Sequence, residues 1–225
     1  MPLSTAEAAV TDAPARHPSS VDDQGTPITA PPPRSLSLLL LAGGLLGLLA
    51  SFVLAVEKYA LLADPTYVPS CSLNPVLSCG SIMASAQAEA FGFPNPLLGI
   101  AGFAAVAATG AALLAGARPA GWFWAGLQAG VTGGVIFVHW LVFSSLYRIG
   151  ALCPYCMVVW AVTIPLFWYV TLRNAGALAS TVAPRLLPAV TAARHLHGVV
   201  LTVWFLVIAA AILQRFWLYW STLVG

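Results

Sequence analysis

The chain has 225 residues, 60% of them hydrophobic and 7% charged, and a mean hydropathy of +0.88. A soluble domain carries roughly 25% charged residues, so this composition excludes an ordinary water-soluble fold and points to lipid. The net charge of +2 comes from scattered basic residues that offer nucleic acid no patch, and no Asp or Glu follows Glu89, which removes carboxylate-pair catalysis and carboxylate metal sites from the rest of the chain.

Residues 1–34 are rich in Pro, Ala, Ser and Thr and predict a disordered cytoplasmic tail. They lack the basic start and short apolar stretch of a cleaved signal, so the apolar run over 36–56 is expected to stay as a first helix. Further runs follow over 96–114, 122–146, 154–172 and 198–219, the last with Arg215 near its exit. Each is close to the roughly 20 residues a bilayer needs, and lipid obliges such spans to be helical. The expected fold is all-α integral membrane: a four-helix transmembrane bundle core over 35–172, a cytoplasmic connection over 173–197, and a fifth transmembrane helix over 198–225. Gly43, Gly47, Gly130 and Gly134 offer places where helix backbones can approach closely. His139, inside the third span, could relay protons, but reads rather as a neutral side chain bonded to a neighbouring helix and is left out of the site. Trp122, Trp124, Trp140 and Tyr147 read as interfacial anchors or packing residues.

Basic residues set an expected orientation. With the amino terminus in the cytoplasm, Arg16, Arg34, Arg118, Arg173, Arg185 and Arg194 lie inside, and Lys58, Arg148 and Arg215 outside. The loop over 57–95 and the turn before Cys153 then share the extracytoplasmic face. All four cysteines fall on that side, where disulfides persist.

Cys153-Pro154-Tyr155-Cys156 stands where a turn becomes the fourth helix. Pro suits the first helical position, which makes Cys153 the N-cap and puts Cys156 in the first turn. Unpaired N–H groups and the helix dipole there favour a thiolate. Cys71 and Cys79 lie in the preceding loop, where Pro69 and Pro75 favour extended or turn backbone in a mobile segment. After Cys79, residues 81–91 predict a short helix with Ile82, Met83, Ala86 and Ala90 on one face, able to lie over the bundle as a lid. Such an arrangement suggests a two-stage relay, one pair meeting a soluble partner and the other the lipid phase. Two structural disulfides are the bland alternative, yet closing such short loops contributes only about 3 kcal/mol or less. A zinc site is the other, but the usual second C-x₂-C knuckle is absent.

The Cys71 and Cys79 loop pair, Ser85 six residues after Cys79, Asn95 entering the second span and Cys153-x-x-Cys156 opening the fourth, in that order and spacing, resemble the vitamin K epoxide reductase family. The resemblance is to its bacterial homologues and covers about residues 36–172. It implies a membrane thiol–quinone oxidoreductase that supports disulfide formation, placed in a bacterial cytoplasmic (inner) membrane. Cys71 would receive electrons from a thioredoxin-like or DsbA-like protein, Cys79 would attack Cys153, and Cys156 would face the quinone. That quinone would be of menaquinone, ubiquinone or phylloquinone type, and no metal is implied. Asn95 would hydrogen-bond a quinone oxygen and Ser85 would help hold loop and pocket. Trp160 stands where vertebrate members carry a quinone-bonding tyrosine. Many bacterial members continue into a thioredoxin-like domain; this sequence stops after the fifth span, so a separate partner is expected. A DsbB-type quinone reductase is the nearest rival, but it carries its C-x-x-C in the first outer loop and its distant pair in the second. A non-catalytic membrane protein with structural disulfides is the rival from another class.

Overall fold

The computed structural model describes residues 33–224, and the expected tail lies outside the described residues apart from Pro33 and Arg34. Five helical segments are long and apolar enough to cross a membrane, which makes this an integral membrane protein. They are α1 (Arg34–Ala63), α3 (Asn95–Leu114), α4 (Gly121–Phe143, prolonged by a π-helical turn over Ser144–Ile149), α5 (Pro154–Thr181) and α7 (His197–Arg215). Shorter helices α2 (Cys79–Met83), α6 (Leu187–His195) and α8 (Trp217–Val224) complete the described residues, with 3₁₀ turns over Ala86–Glu89 and Pro184–Leu186. The fold class is all-α, as expected.

Two helices run further than the apolar runs suggest, for the same reason. α1 passes through Glu57 and Lys58 to Ala63, because both charges find partners that permit burial. α5 passes Leu172 to reach Thr181, well into the expected connection. There the Arg173 guanidinium lies over the Trp124 ring, 3.7 Å from its centroid. Asn174 donates to the Trp124 carbonyl and to Gln128 Oε1, each at 3.1 Å, and Gln128 in turn donates to Thr171 at 2.9 Å. Hydropathy stops at the first charge; a helix stops only where its backbone loses support.

α1 is the hub of the bundle, packing on α3 and on α5, while α5 packs on α4. The main core joins Leu36, Leu40, Phe103, Val106, Trp124 and Leu166 at the end remote from the cysteines. The closest helix approach is between α1 and α3, where a Cβ at Gly44 would collide with the Ala107 backbone and one at Gly110 with the Leu41 backbone. Of the glycines singled out in sequence, Gly43 and Gly47 instead receive the side chains of Leu166 and Phe103, and Gly134 faces Thr163. Gly130 meets nothing within 4 Å. α3 and α4 scarcely touch, so the bundle is closed on the α1 side and wedged open between these two helices.

Overpacking of this kind costs about 1–3 kcal/mol or more. Gly110→Val should therefore lower the thermal unfolding midpoint in detergent. Gly102→Ala, on the open side of the same helix, should leave it in place. Equal effects of the two would contradict the assigned crossing.

Candidate functional site

The site begins with how α4 ends. Its last turn widens to a π-helical geometry and is stopped by Gly150, whose φ of 73° is the left-handed conformation glycine adopts without strain. Ala151 and Leu152 then run to Cys153, which is extended (φ −121°, ψ 121°) and caps α5, with Pro154 in the first turn. Cys156 follows within that turn, as the sequence predicts.

A second segment is tied to the first by backbone. Asn74 Oδ1 accepts from Val76 N–H at 3.0 Å and Leu77 N–H at 2.7 Å, folding the chain around Pro75. Leu77 then pairs with Leu152 in a parallel bridge: Leu152 N–H donates to Val76 O at 2.7 Å and Ser78 N–H to Leu152 O at 2.9 Å. Cys79 follows two residues after Leu77 and Cys153 one after Leu152. The bridge therefore delivers the two side chains to the same point, and their sulfurs lie 3.0 Å apart. Cys71 is joined to Cys79 by a disulfide with Cα atoms 5.6 Å apart, while Cys153 and Cys156 are free thiols. The sulfurs of Cys71, Cys79 and Cys153 all fall within 4.8 Å of one another. A metal would need these groups as thiolates, and the disulfide withdraws two of the three from such a donor set. The loop expected to be mobile is thus stitched to the turn that opens α5.

Two adjacent charges near the end of α1, not assigned to the site from the sequence, hold the loop from beneath. Glu57 accepts hydrogen bonds from the Tyr67 hydroxyl at 2.9 Å and from the backbone and hydroxyl of Ser70, gripping the arm that precedes Cys71. Lys58 donates to Met83 O at 2.8 Å and pairs with Glu89 at 2.8 Å, gripping the arm that follows Cys79. Both side chains are buried, which such charges tolerate only when paired. A Glu-Lys step at the end of a long hydrophobic run, in a chain with only seven acidic residues, was the available signal.

The lid is broken, not continuous. α2 ends at Met83, Ser85 is extended (φ −78°, ψ 150°) with its hydroxyl donating to Ile82 O at 2.6 Å, and a 3₁₀ turn follows. The early start at Cys79 reflects Ser78, whose side chain caps α2 by accepting from Ser81 N–H. Asn95, first residue of α3, spans the lid: its Nδ2 donates to Gln87 O at 2.7 Å and its Oδ1 accepts from Ala90 N–H at 3.1 Å.

Beneath the lid, the gap between α3 and α4 opens into a cavity of about 1030 Å³. Its wall is overwhelmingly apolar but includes Lys58, Ser85, Asn95, Cys156 and Trp160. Cys71, Cys79 and Cys153 stay above it, only 4%, 0% and 1% exposed. The buried Trp160 indole N–H has no partner among the described residues. His139 lies elsewhere: its Nδ1 meets Val135 O of its own helix at 2.7 Å, and its Nε2 accepts from the Trp204 N–H of α7 at 2.9 Å.

The Cys153 thiol is pushed below the ordinary cysteine value. The chief cause is the hydrogen bond from the Cys156 thiol, helped by the backbone N–H groups of Cys156 and Tyr155; burial and the Glu57 charge oppose it. In the dithiol state, thiolate absorbance near 240 nm should consequently grow in at a pH below that of an ordinary cysteine. Cys153→Ser should remove that component. A midpoint at or above the ordinary value would contradict the assignment.

The family model described as the vitamin K epoxide reductase family matches residues 38–171, which spans α1 through most of α5 and includes all four cysteines. Among curated proteins none matches the chain. The chain belongs to the vitamin K epoxide reductase family, and is a membrane thiol–disulfide oxidoreductase.

Proposed function

We propose that the protein oxidises a thioredoxin-like or DsbA-like partner and passes the electron pair to a membrane quinone of menaquinone, ubiquinone or phylloquinone type, so sustaining disulfide formation. The observation that carries this reading is the 3.0 Å separation of Cys79 and Cys153 directly above a cavity whose wall includes Cys156. With six of nine basic residues on the amino-terminal side of the bundle, the cysteines face out of the cytoplasm of a bacterial inner membrane.

The relay balances as thiol exchange. A partner thiolate attacks Cys71, Cys79 leaves as thiolate, and the partner's second thiol resolves the mixed disulfide, departing oxidised. Cys79 then attacks Cys153 of the Cys153–Cys156 disulfide, and Cys156 leaves. Cys71 attacks Cys79 in turn and releases Cys153. This sequence ends in a Cys71–Cys79 disulfide above a Cys153, Cys156 dithiol, the very distribution present here. The dithiol yields two electrons and two protons, which convert quinone to quinol and restore the inner disulfide.

The cavity suits a quinone, whose ring is flat and apolar and whose polarity is confined to its oxygens. Trp160 holds the unpartnered donor for one oxygen. Asn95 retains a second amide hydrogen for the same purpose, although its present bonds go to the lid, and Ser85 supports the lid's break. Cys71 is buried, so partner access requires the Tyr67–Ser70 arm to leave Glu57.

Cys156→Ala should abolish quinone reduction by purified protein with reduced partner, while Cys71–Cys79 still exchanges with that partner. Quinol formation at the parental rate would overturn the roles given to the inner pair. Cys79→Ser leaves Cys71 unable to be resolved internally, so expression under oxidising conditions should yield a Cys71-linked adduct on a non-reducing gel. Lack of any adduct would count against the partner.

A further inference from the structure

α7 lies beyond the residues that match the family, and most of its surface faces outward; no residue of it is fully buried. Its inward stripe is Trp204, Ile208, Ala211, Ile212 and Arg215, continued by Phe216 and Tyr219, a spacing of three and four that keeps one helical face on the bundle. Trp204 reaches His139 in mid-span. Phe167 and Tyr169 of α5 also meet Trp204 and His197, and the rest of the stripe lies toward the end that carries the cysteines.

At that end the donors that follow the π-helical turn bypass one of its carbonyls. Gly150 N–H and Ala151 N–H both bond Ser145 O, and Leu152 N–H is taken by Val76 O, so Leu146 O receives none of the three donors that follow it. Arg215 reaches that carbonyl: its Nε donates to Leu146 O at 2.7 Å. A cation suits this position, since carbonyls at a helix end carry partial negative charge. The guanidinium also lies beside Gly150, where a Cβ would come within 3.8 Å of Nη2. Phe216 follows, buried in the cluster that also holds Val76, Leu146, Leu152 and Trp160. Arg215 therefore secures the helix end before the turn, and Phe216 joins the apolar cluster that takes in Val76 and Leu152, one residue from each side of the bridge that brings Cys79 to Cys153.

We infer that the Arg215–Phe216 step is a positioning device for the redox turn, fixing Leu152 and hence the approach of Cys153 to Cys79, so that the fifth helix contributes to the exchange and not only to anchoring. The inference rests on the proposed relay for its purpose, but its geometry is testable without quinone or partner.

In the full chain carrying Cys71→Ser and Cys156→Ser, only Cys79 and Cys153 remain, and their disulfide equilibrium against glutathione reports how well they are juxtaposed. Arg215→Met should lower that equilibrium constant about tenfold, equivalent to about 30 mV in potential. Phe216→Ala should lower it in the same direction, and Arg215→Lys, which keeps a cationic donor, should restore most of the loss. Trp204→Phe removes the mid-span hydrogen bond to His139 and should leave the constant unchanged. Parental values in both Arg215→Met and Phe216→Ala would overturn the inference. So would an equal fall in Trp204→Phe, which would make the effect one of helix docking in general. Failure of the quinone assay with these results intact would indict the proposed electron acceptor and spare the strut.

Discussion

Two backbone hydrogen bonds between Leu152 and the Val76–Ser78 segment are the constraint on which the site depends. Cysteine side chains are short, so two sulfurs meet only if their backbones are already side by side. The bridge supplies that condition between segments more than seventy residues apart in sequence, and it does so outside any extended sheet. Everything else at this end serves it. Asn74 shapes the turn leading into one strand, Gly150 turns the chain into the other, and Arg215 secures the helix end behind it.

The same economy governs the charges. In a chain this apolar, a buried ionised group survives only with partners, and Glu57 and Lys58 take theirs from the loop that carries the cysteines. Helix α1 thereby does two things with one surface. Toward its start it closes on α3 through glycine; toward its end it holds the loop by charge. The opposite flank is left unpacked between α3 and α4, and the cavity occupies that gap.

The spans were legible because lipid imposes a length and a composition, and Pro154 and Asn95-Pro96 mark helix starts by chemistry that needs no tertiary context. The N-cap position of Cys153 was legible for that reason. The helix ends were not: Arg173 and the Glu57–Lys58 step read as exits, whereas the folded chain supplies an indole ring, amides and loop carbonyls that keep them in helix. The bridge left no pattern, since one paired residue on each side has no periodicity. The broken lid was foreshadowed by Ser78 and Ser85, both of which favour helix boundaries, but the apolar spacing over 81–91 outweighed them. Asn95 lines the cavity, but its amide also binds the lid on both sides, a pairing that depends on where Gln87 and Ala90 come to rest.

How the loop is held bears on which sulfur can be approached from outside. The arm after Asn74 is fixed by the bridge, by the Asn74 side chain and by Lys58, so Cys79 is tied to the bundle through several independent contacts. The arm before Cys71 is held by Glu57, and just after Cys71 the Ser72 Oγ accepts from Gly80 N–H at 3.2 Å. Hydrogen bonds to a charged group contribute about 1.5–3 kcal/mol each, but those to Glu57 share one carboxylate and are lost together. None of those bonds belongs to the bridge, so in the proposed relay displacing that arm would leave the bridge in place. Displacing the other would separate Cys79 from Cys153 and end the inward transfer. In the proposed relay the outer sulfur is therefore the one on the releasable arm and the inner sulfur the one on the fixed arm, a division of roles set by hydrogen bonding and not by the chemistry of the cysteines themselves.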